Sequence, residues 1–305
     1  MNMDVAIGDA IDYGARGEDM RMPATRIALL IVALGAASVY GKTPAPDGVE
    51  YKLRLEPEMT SAEVASFWEH VVGTERDHWP DNVALDPKKC RLVSYLDTDH
   101  EDLRKHGFVL RYRMSLDDPD CAGSPDDGDG GTLTLKYRDA DRRVAGTHVD
   151  DGWAETGEHK YEADLLLSES KEGVREWRQA FSVSAKVDAA DVPATVRDLR
   201  RRFPDALPFL SGDSRLAVGC RRIYERTIVL SGGKDDELPK EVELVAWHRK
   251  KNARPVLLEA SFKADLEKSK AVARVDGLAA RLLRSLPADW LADAGSKTDA
   301  AYDCH

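Results

Sequence analysis

Six segments of this chain alternate charged and apolar side chains residue by residue, and this feature constrains the fold more than any other. Successive side chains of a strand point to opposite faces, so EYKLRL sets Glu50, Lys52 and Arg54 against Tyr51, Leu53 and Leu55. VLRYRM sets Arg111 and Arg113 against Leu110, Tyr112 and Met114, and LTLKYR sets Thr134, Lys136 and Arg138 against Leu133, Leu135 and Tyr137. KYEADL groups Lys160, Glu162 and Asp164, EVELV groups Glu241 and Glu243, and LEASFKAD groups Glu259, Ser261, Lys263 and Asp265. Two architectures satisfy the pattern. One is an ordinary antiparallel sheet with one face on a core and the other in water. The other is a closed or nearly closed barrel whose apolar face lies outward under helices and whose charged face lines the lumen. An empty lumen of unpaired ions would cost several kcal/mol per ion, so the second architecture asks for a bound polyanion and a divalent cation.

The length of 305 residues allows one large domain or two small ones. With 44 basic and 55 acidic residues, a net charge of −11, the chain is not a generic binder of nucleic-acid duplexes or anionic membranes. Any anionic ligand has to be held by a local basic site. Residues 27–39, IALLIVALGAASV, form an apolar run too short to span a bilayer, preceded by Arg21 and Arg26 and followed by small residues. This is the layout of a signal peptide cleaved after Gly41 or Ala45, which leaves no stable membrane span. The acidic stretch before it, with Asp4, Asp9, Asp12, Glu18 and Asp19, fits translation from Met20 or Met22. The competing reading is a short buried or anchoring helix, with the protein remaining cytoplasmic. The four cysteines, Cys90, Cys121, Cys220 and Cys304, allow three full pairings and have no zinc-ligand spacing.

Helical stripes are expected over Thr60 to Val72, Val174 to Phe181, Val192 to Phe203 and Leu266 to Leu286, as packing faces against a sheet. The acidic stretch from Asp117 to Gly131 reads as a solvated hairpin tip, Leu230 to Lys240 as a chain break, and 291–305 as a flexible tail. His148, His159 and His248 read as surface or structural residues, and Trp68, Trp177 and Trp290 as packing residues on helices.

GVEYKLRL, YLDTDHEDLRKHGFVLRYR from Tyr95 to Arg113, TLTLKYR, and the late EVELV and LLEASFK strands together resemble the CYTH, or triphosphate tunnel metalloenzyme, superfamily, over roughly Val49 to Leu286. The resemblance implies an α+β fold, an eight-stranded antiparallel barrel with helices packed outside, as one domain over 47–290 after a leader of 1–41. It implies a phosphate-rich anionic small molecule in the tunnel. Lys52, Arg54, Arg111, Arg113, Lys136 and Arg138 would be the phosphate-binding cations, with Arg222 and Arg226 as further candidates. Glu50, Glu241, Glu243 and Glu259 would hold Mg²⁺ or Mn²⁺. Guanidinium forks and ammonium groups suit phosphate oxygens, and hard cations suit carboxylates, so hydrolysis would rest on positioning and charge stabilisation.

Two departures weaken the metal site. The family's Glu-x-Glu-x-Lys signature has Gly48 at its first position here, and the last strand follows Glu259 with Ser261 and Lys263. The leading expectation is a metal-dependent hydrolase of an inorganic or organic triphosphate. The alternative is a non-catalytic exported module that binds polyphosphate or another polyanion, and adenylate cyclisation is a third, weaker reading.

Overall fold

The structure, a computed structural model, describes residues 48–80, 85–116, 130–139, 158–167, 176–202, 214–218, 223–234, 237–251, 253–265, 269–292 and 297–302, with 118, 121, 207 and 210 between them. In chain order the elements are β1 (Gly48–Leu55), α1 (Ser61–Thr74), β2 (Leu85–Asp97), α2 (Asp102–Lys105), β3 (Phe108–Leu116), β4 (Gly131–Asp139), β5 (Glu158–Leu167), β6 (Glu176–Val187), α3 (Val196–Arg202), β7 (Ala217–Val218), β8 (Ile223–Ser231), β9 (Glu241–His248), β10 (Pro255–Asp265), α4 (Ser269–Ser285) and α5 (Lys297–Tyr302). The six alternating segments all lie in strands.

Hydrogen bonding runs β3-β4-β6-β5-β1-β10-β9-β8-β2, and β2 also pairs with β3. The nine strands therefore close a ring, which removes the exposed edges an open sheet would leave. Two-residue β7 adds to one end of β2. The ring holds nine strands rather than the expected eight, and β1 runs parallel to β5 where an all-antiparallel order was expected. Val174 to Phe181 is not a helix: residues from Glu176 belong to β6, hydrogen-bonded between β4 and β5.

The outward faces are apolar and carry the helices. Val49, Tyr51, Leu53 and Leu55 of β1 are buried, as are Phe67, Trp68 and Val71 of α1 and Val272, Val275, Leu278 and Leu282 of α4. Helix α4 packs on β10 and on α1. The start of α1 is set by a reciprocal cap, in which Thr60 N–H donates to Glu63 at 2.7 Å and Glu63 N–H donates to the Thr60 hydroxyl at 3.3 Å. Elsewhere Leu103, Phe108, Leu110, Leu133 and Leu135 bury a second external core with Val196 and Leu199 of α3.

A third cluster lies inside the ring. Val93, Tyr95, Val109, Ile223, Val245, Trp247 and Leu257 share the inward face by register and pack with Ala301 and Tyr302 of α5. The C-terminal segment, which sequence reading leaves as a flexible tail, thus contributes a helix, Lys297–Tyr302, seated against the inner wall. Its Tyr302 hydroxyl donates to Asp97 at 3.0 Å, and Arg104 stacks over the Tyr302 ring at 4.9 Å. Asp97 also accepts backbone N–H groups of Thr98, Leu103 and Arg104, so one buried carboxylate ties α5 to the first turn of α2.

Residues 1–41 lie outside the described residues, so the leader and its apolar run carry no structural statement. Among the described residues no helix is long and apolar enough to cross a membrane. Cys90 and Cys121, both fully buried, form a disulfide, and Cys220 and Cys304 lie outside the described residues.

Candidate functional site: a charged barrel lumen

Alternation along β1 turns Glu50, Lys52 and Arg54 inward, and register carries that layer around the ring. Glu50, Lys52 and Arg54 stand opposite Lys263, Ser261 and Glu259 of β10, and Glu50 lies beside Asp164 of β5. Asp164 is buried between two ammonium groups, Lys52 at 2.7 Å and Lys136 at 3.1 Å. Lys52 also meets Glu50 at 2.9 Å. Burial pushes the Glu50 carboxyl up, but Lys52 and then Lys263 more than offset it and bring it down to about 2. Lys52 of β1 and Lys136 of β4, both largely buried, thus converge on Asp164 of β5.

A second layer is built from β2, β3, β8 and β9. Arg111 and Arg113 are two residues apart on β3 and share the inward face, opposite Tyr95 and Val93 of β2. The Arg111 charge, and after it burial, lowers the Arg113 guanidinium to about 10. Arg111 Nε is buried and meets no acceptor among the described residues. The nearby carboxylate is Glu225, which accepts from Arg91 at 3.2 Å and from the Trp247 indole at 3.0 Å. Burial raises the Glu225 carboxyl, yet Lys297, Arg111, Arg91 and Arg113 together hold it at about 2. Arg91 thus pairs directly with this acid, and the charges of Lys297, Arg111 and Arg113 act on it as well.

The lumen therefore gathers Lys52, Arg54, Arg111, Arg113 and Lys136 from the expected phosphate-binding set. Arg226 is not among them: β8 turns Glu225 inward and Arg226 outward, where its guanidinium donates to the Lys251 carbonyl at 3.2 Å. Arg138 lies on β4, but its side chain, and the whole of Arg222, fall outside what is described. Three members that motif reading does not single out, Arg91, Glu225 and Asp164, also take part in the ion pairing. Arg91 was not legible, because RLVSYL does not alternate charged and apolar residues, whereas Asp164 was legible as a charged-face position of KYEADL. Lys297 was not, because a six-residue helix, KTDAAY, has no periodicity to read.

The expected metal ligands do not assemble. Glu241 is exposed at the start of β9, and Glu243 stands on the inward face opposite Ser261. Glu50 is engaged by Lys52, and Glu259 meets Lys297 at 2.7 Å and Arg54 at 3.8 Å. Among the described residues no three His, Cys, Asp or Glu side chains converge. Mg²⁺ or Mn²⁺ takes several oxygens in near-octahedral geometry, and the described donor set does not fit that demand. At Gly48, where the family signature has its first Glu, a Cβ would stand 3.2 Å from the Ala264 carbonyl oxygen, so the backbone is close-packed there.

His248 is structural as expected, its Nδ1 hydrogen-bonded with the Ala253 carbonyl at 2.8 Å. His148 and the His159 side chain lie outside the described set, Trp68 and Trp290 are buried packing residues, and Trp177 lies on strand β6 rather than a helix.

No protein-family model matches this chain, and no curated protein does. Several solved structures are similar in course. The adenylyl cyclase candidate HpAC1 from Hippeastrum, described by a dominant triphosphatase activity, is 13% identical, with 83% of this chain and 93% of that one covered at a TM-score of 0.43. An adenylate cyclase candidate from Bacillus halodurans is 12% identical, covering 84% and 97% at 0.41. The mimivirus capping enzyme triphosphatase is 9% identical, covering 84% and 97% at 0.31.

Proposed function

We propose that the lumen binds a triphosphate-type phosphoanhydride, inorganic or organic, and that the protein hydrolyses it. The observation that carries this reading is the pair Arg111 and Arg113, two residues apart on the inward face of β3, with Arg91 and the acid Glu225 on the same face. Like charges kept together at a cost to each other are what an anion-binding wall requires before its ligand arrives, and a triphosphate spreads charge over enough oxygens to meet all of them. Water would add to the terminal phosphorus as the bridging P–O bond breaks, giving orthophosphate and the shortened phosphate. Arginines fixed by the sheet would stabilise the charge gathered on the phosphoryl oxygens, and no covalent nucleophile is required.

A polyanion-binding role is the second reading, and a specific observation favours it: Glu50 and Glu259 are engaged by ammonium groups rather than left open to a metal. Phosphate release from tripolyphosphate, ATP and thiamine triphosphate, measured with Mg²⁺, with Mn²⁺ and with chelator, separates the two. Arg111→Ala and Arg113→Ala should each weaken tripolyphosphate binding by about 1–3 kcal/mol, with the double variant losing less than the sum, because both arginines address one ligand. Binding without phosphate release under every metal condition selects the second reading, and unchanged binding in both variants removes the lumen as the site.

The apolar run of residues 27–39 and the Cys90–Cys121 disulfide support an exported protein, since disulfides persist in oxidising compartments. The expected mature N-terminus lies near Lys42 or Pro46. Full-length chain in the cytoplasmic fraction, with the acidic leader intact, would count against export.

A further inference from the structure

The C-terminal helix α5 brings a charge into the lumen that no strand supplies. Lys297, its first residue, places Nζ 2.7 Å from Glu259 and 6.0 Å from the centre of the Trp247 ring. Glu259 is almost wholly buried, and the Lys297 side chain is 20% exposed. The position is built rather than incidental. Ala301 and Tyr302 are buried in the inner apolar cluster, Tyr302 is held by Asp97, and Asp299 lies 3.5 Å from Arg104, so the helix that carries Lys297 is pinned at its far end and at its flank. Lys297 is also the leading positive influence on Glu225, the acid on which Arg91, Arg111 and Arg113 act too. One cation thus serves two buried acids from different strands, β8 and β10.

We propose that Lys297 is an internal cation that completes the lumen at Glu259, in the place where the family resemblance calls for a divalent ion, so that the anion site forms without one. The inference rests on the reading of the lumen as an anion site. A primary ammonium delivers its charge to a carboxylate without the oxygen-rich shell that Mg²⁺ or Mn²⁺ demands, and the described residues lack that shell. Arg54, 3.8 Å from the same carboxylate, adds a second positive group and further disfavours a metal ion at Glu259. Lys297 also acts on Glu225, the acid of the arginine layer, and by offsetting it adds to the attraction for a polyphosphate chain. Lys297 is accordingly a binding residue for the anion, and its ammonium and a divalent ion exclude each other at Glu259.

The test uses the full chain in two assays. In calorimetry with tripolyphosphate, the wild type is expected to bind in chelator within about twofold of its affinity in excess Mg²⁺. Lys297→Gln should weaken binding in chelator at least tenfold and regain most of it with Mn²⁺, while Lys297→Arg should remain close to wild type. In the second assay Mn²⁺ alone is titrated and followed by electron paramagnetic resonance. The wild type is expected to show no site that depends on Glu259, and Lys297→Gln to gain one that is lost again in Lys297→Gln/Glu259→Gln. Tripolyphosphate binding by the wild type that requires a divalent ion, or a wild-type Mn²⁺ site abolished by Glu259→Gln, overturns the proposal. These wild-type arms decide the matter even if Lys297→Gln does not fold. Absence of tripolyphosphate binding in every wild-type condition defeats the anion-site reading, and with it the binding role of Lys297, whereas the Mn²⁺ titration still tests separately whether Lys297 excludes metal from Glu259.

Discussion

Glu225 shows how a single inward residue balances the wall. Its carboxylate is buried among Arg91, Arg111, Arg113 and Lys297 and is held at about 2, well below the ordinary range of a glutamate. A folded-state pKa below the unfolded one contributes stability that is complete above the unfolded value, about 4.3, and is lost as pH falls toward 2. Glu225→Gln leaves the cations without their acid and should destabilise the fold by about 3–5 kcal/mol at pH 7. The difference in melting temperature between wild type and variant is expected to shrink between pH 4.5 and 2, and thermal melts across that window check it. The same variant should bind tripolyphosphate more tightly at neutral pH, because a negative charge facing the phosphates is gone. The lumen cations Lys52, Arg111, Arg113 and Lys136 were legible from alternation because register in a closed sheet keeps residues i and i+2 on one side. Arg226 fails for the same reason: a single-residue choice of register puts Glu225 inside and Arg226 outside, and local composition does not make that choice.

At the scale of elements, α5 depends on one buried hydrogen bond more than on its own length. Six residues form no stable helix alone, so its order comes from Ala301 and Tyr302 in the inner core and from the Tyr302 hydroxyl on Asp97. Tyr302→Phe keeps the ring and removes the donor to a buried carboxylate, which should cost about 1–3 kcal/mol. Urea denaturation measures that loss, and amide exchange in 297–302 should rise in the variant while exchange in α1 stays constant. The opposite error of scale occurs in β6. EWRQAF reads locally as helix, but hydrogen bonding to β4 and β5 on both sides fixes it extended, with Arg178 in register with Asp164. Strand preference answers to neighbours more than to the segment itself, so this element becomes visible only once the sheet exists.

For the molecule as a whole, closure of the ring and the Cys90–Cys121 bridge both act by limiting what the unfolded chain can do or what the folded edge exposes. The bridge spans 31 residues, and its reduction should lower stability by about 2–4 kcal/mol. Urea midpoints with and without reductant measure this, and reductant should leave a Cys121→Ser variant unchanged. Sequence alone determined the strand faces, the cap of α1, the α4 stripe and the chemistry of the inward side chains, because those follow from periods of 2.0 and 3.6 residues and from side-chain type. It left open whether the charged face met water or a lumen, since a half-solvated sheet and a closed barrel have the same alternation. Only the pairing of β2 with β3, 14 to 26 residues apart along the chain from the Leu96–Leu110 to the Cys90–Leu116 partners, together with β2–β8, closes the ring and decides it. The pairing of Glu259 with Lys297 likewise joins β10 to a helix with no sequence signal, and is decided by where the inner core seats Tyr302. Which carboxylate meets a metal and which meets an ammonium is a question of distance across the lumen, and distance between segments remote in the chain is a property of the tertiary structure.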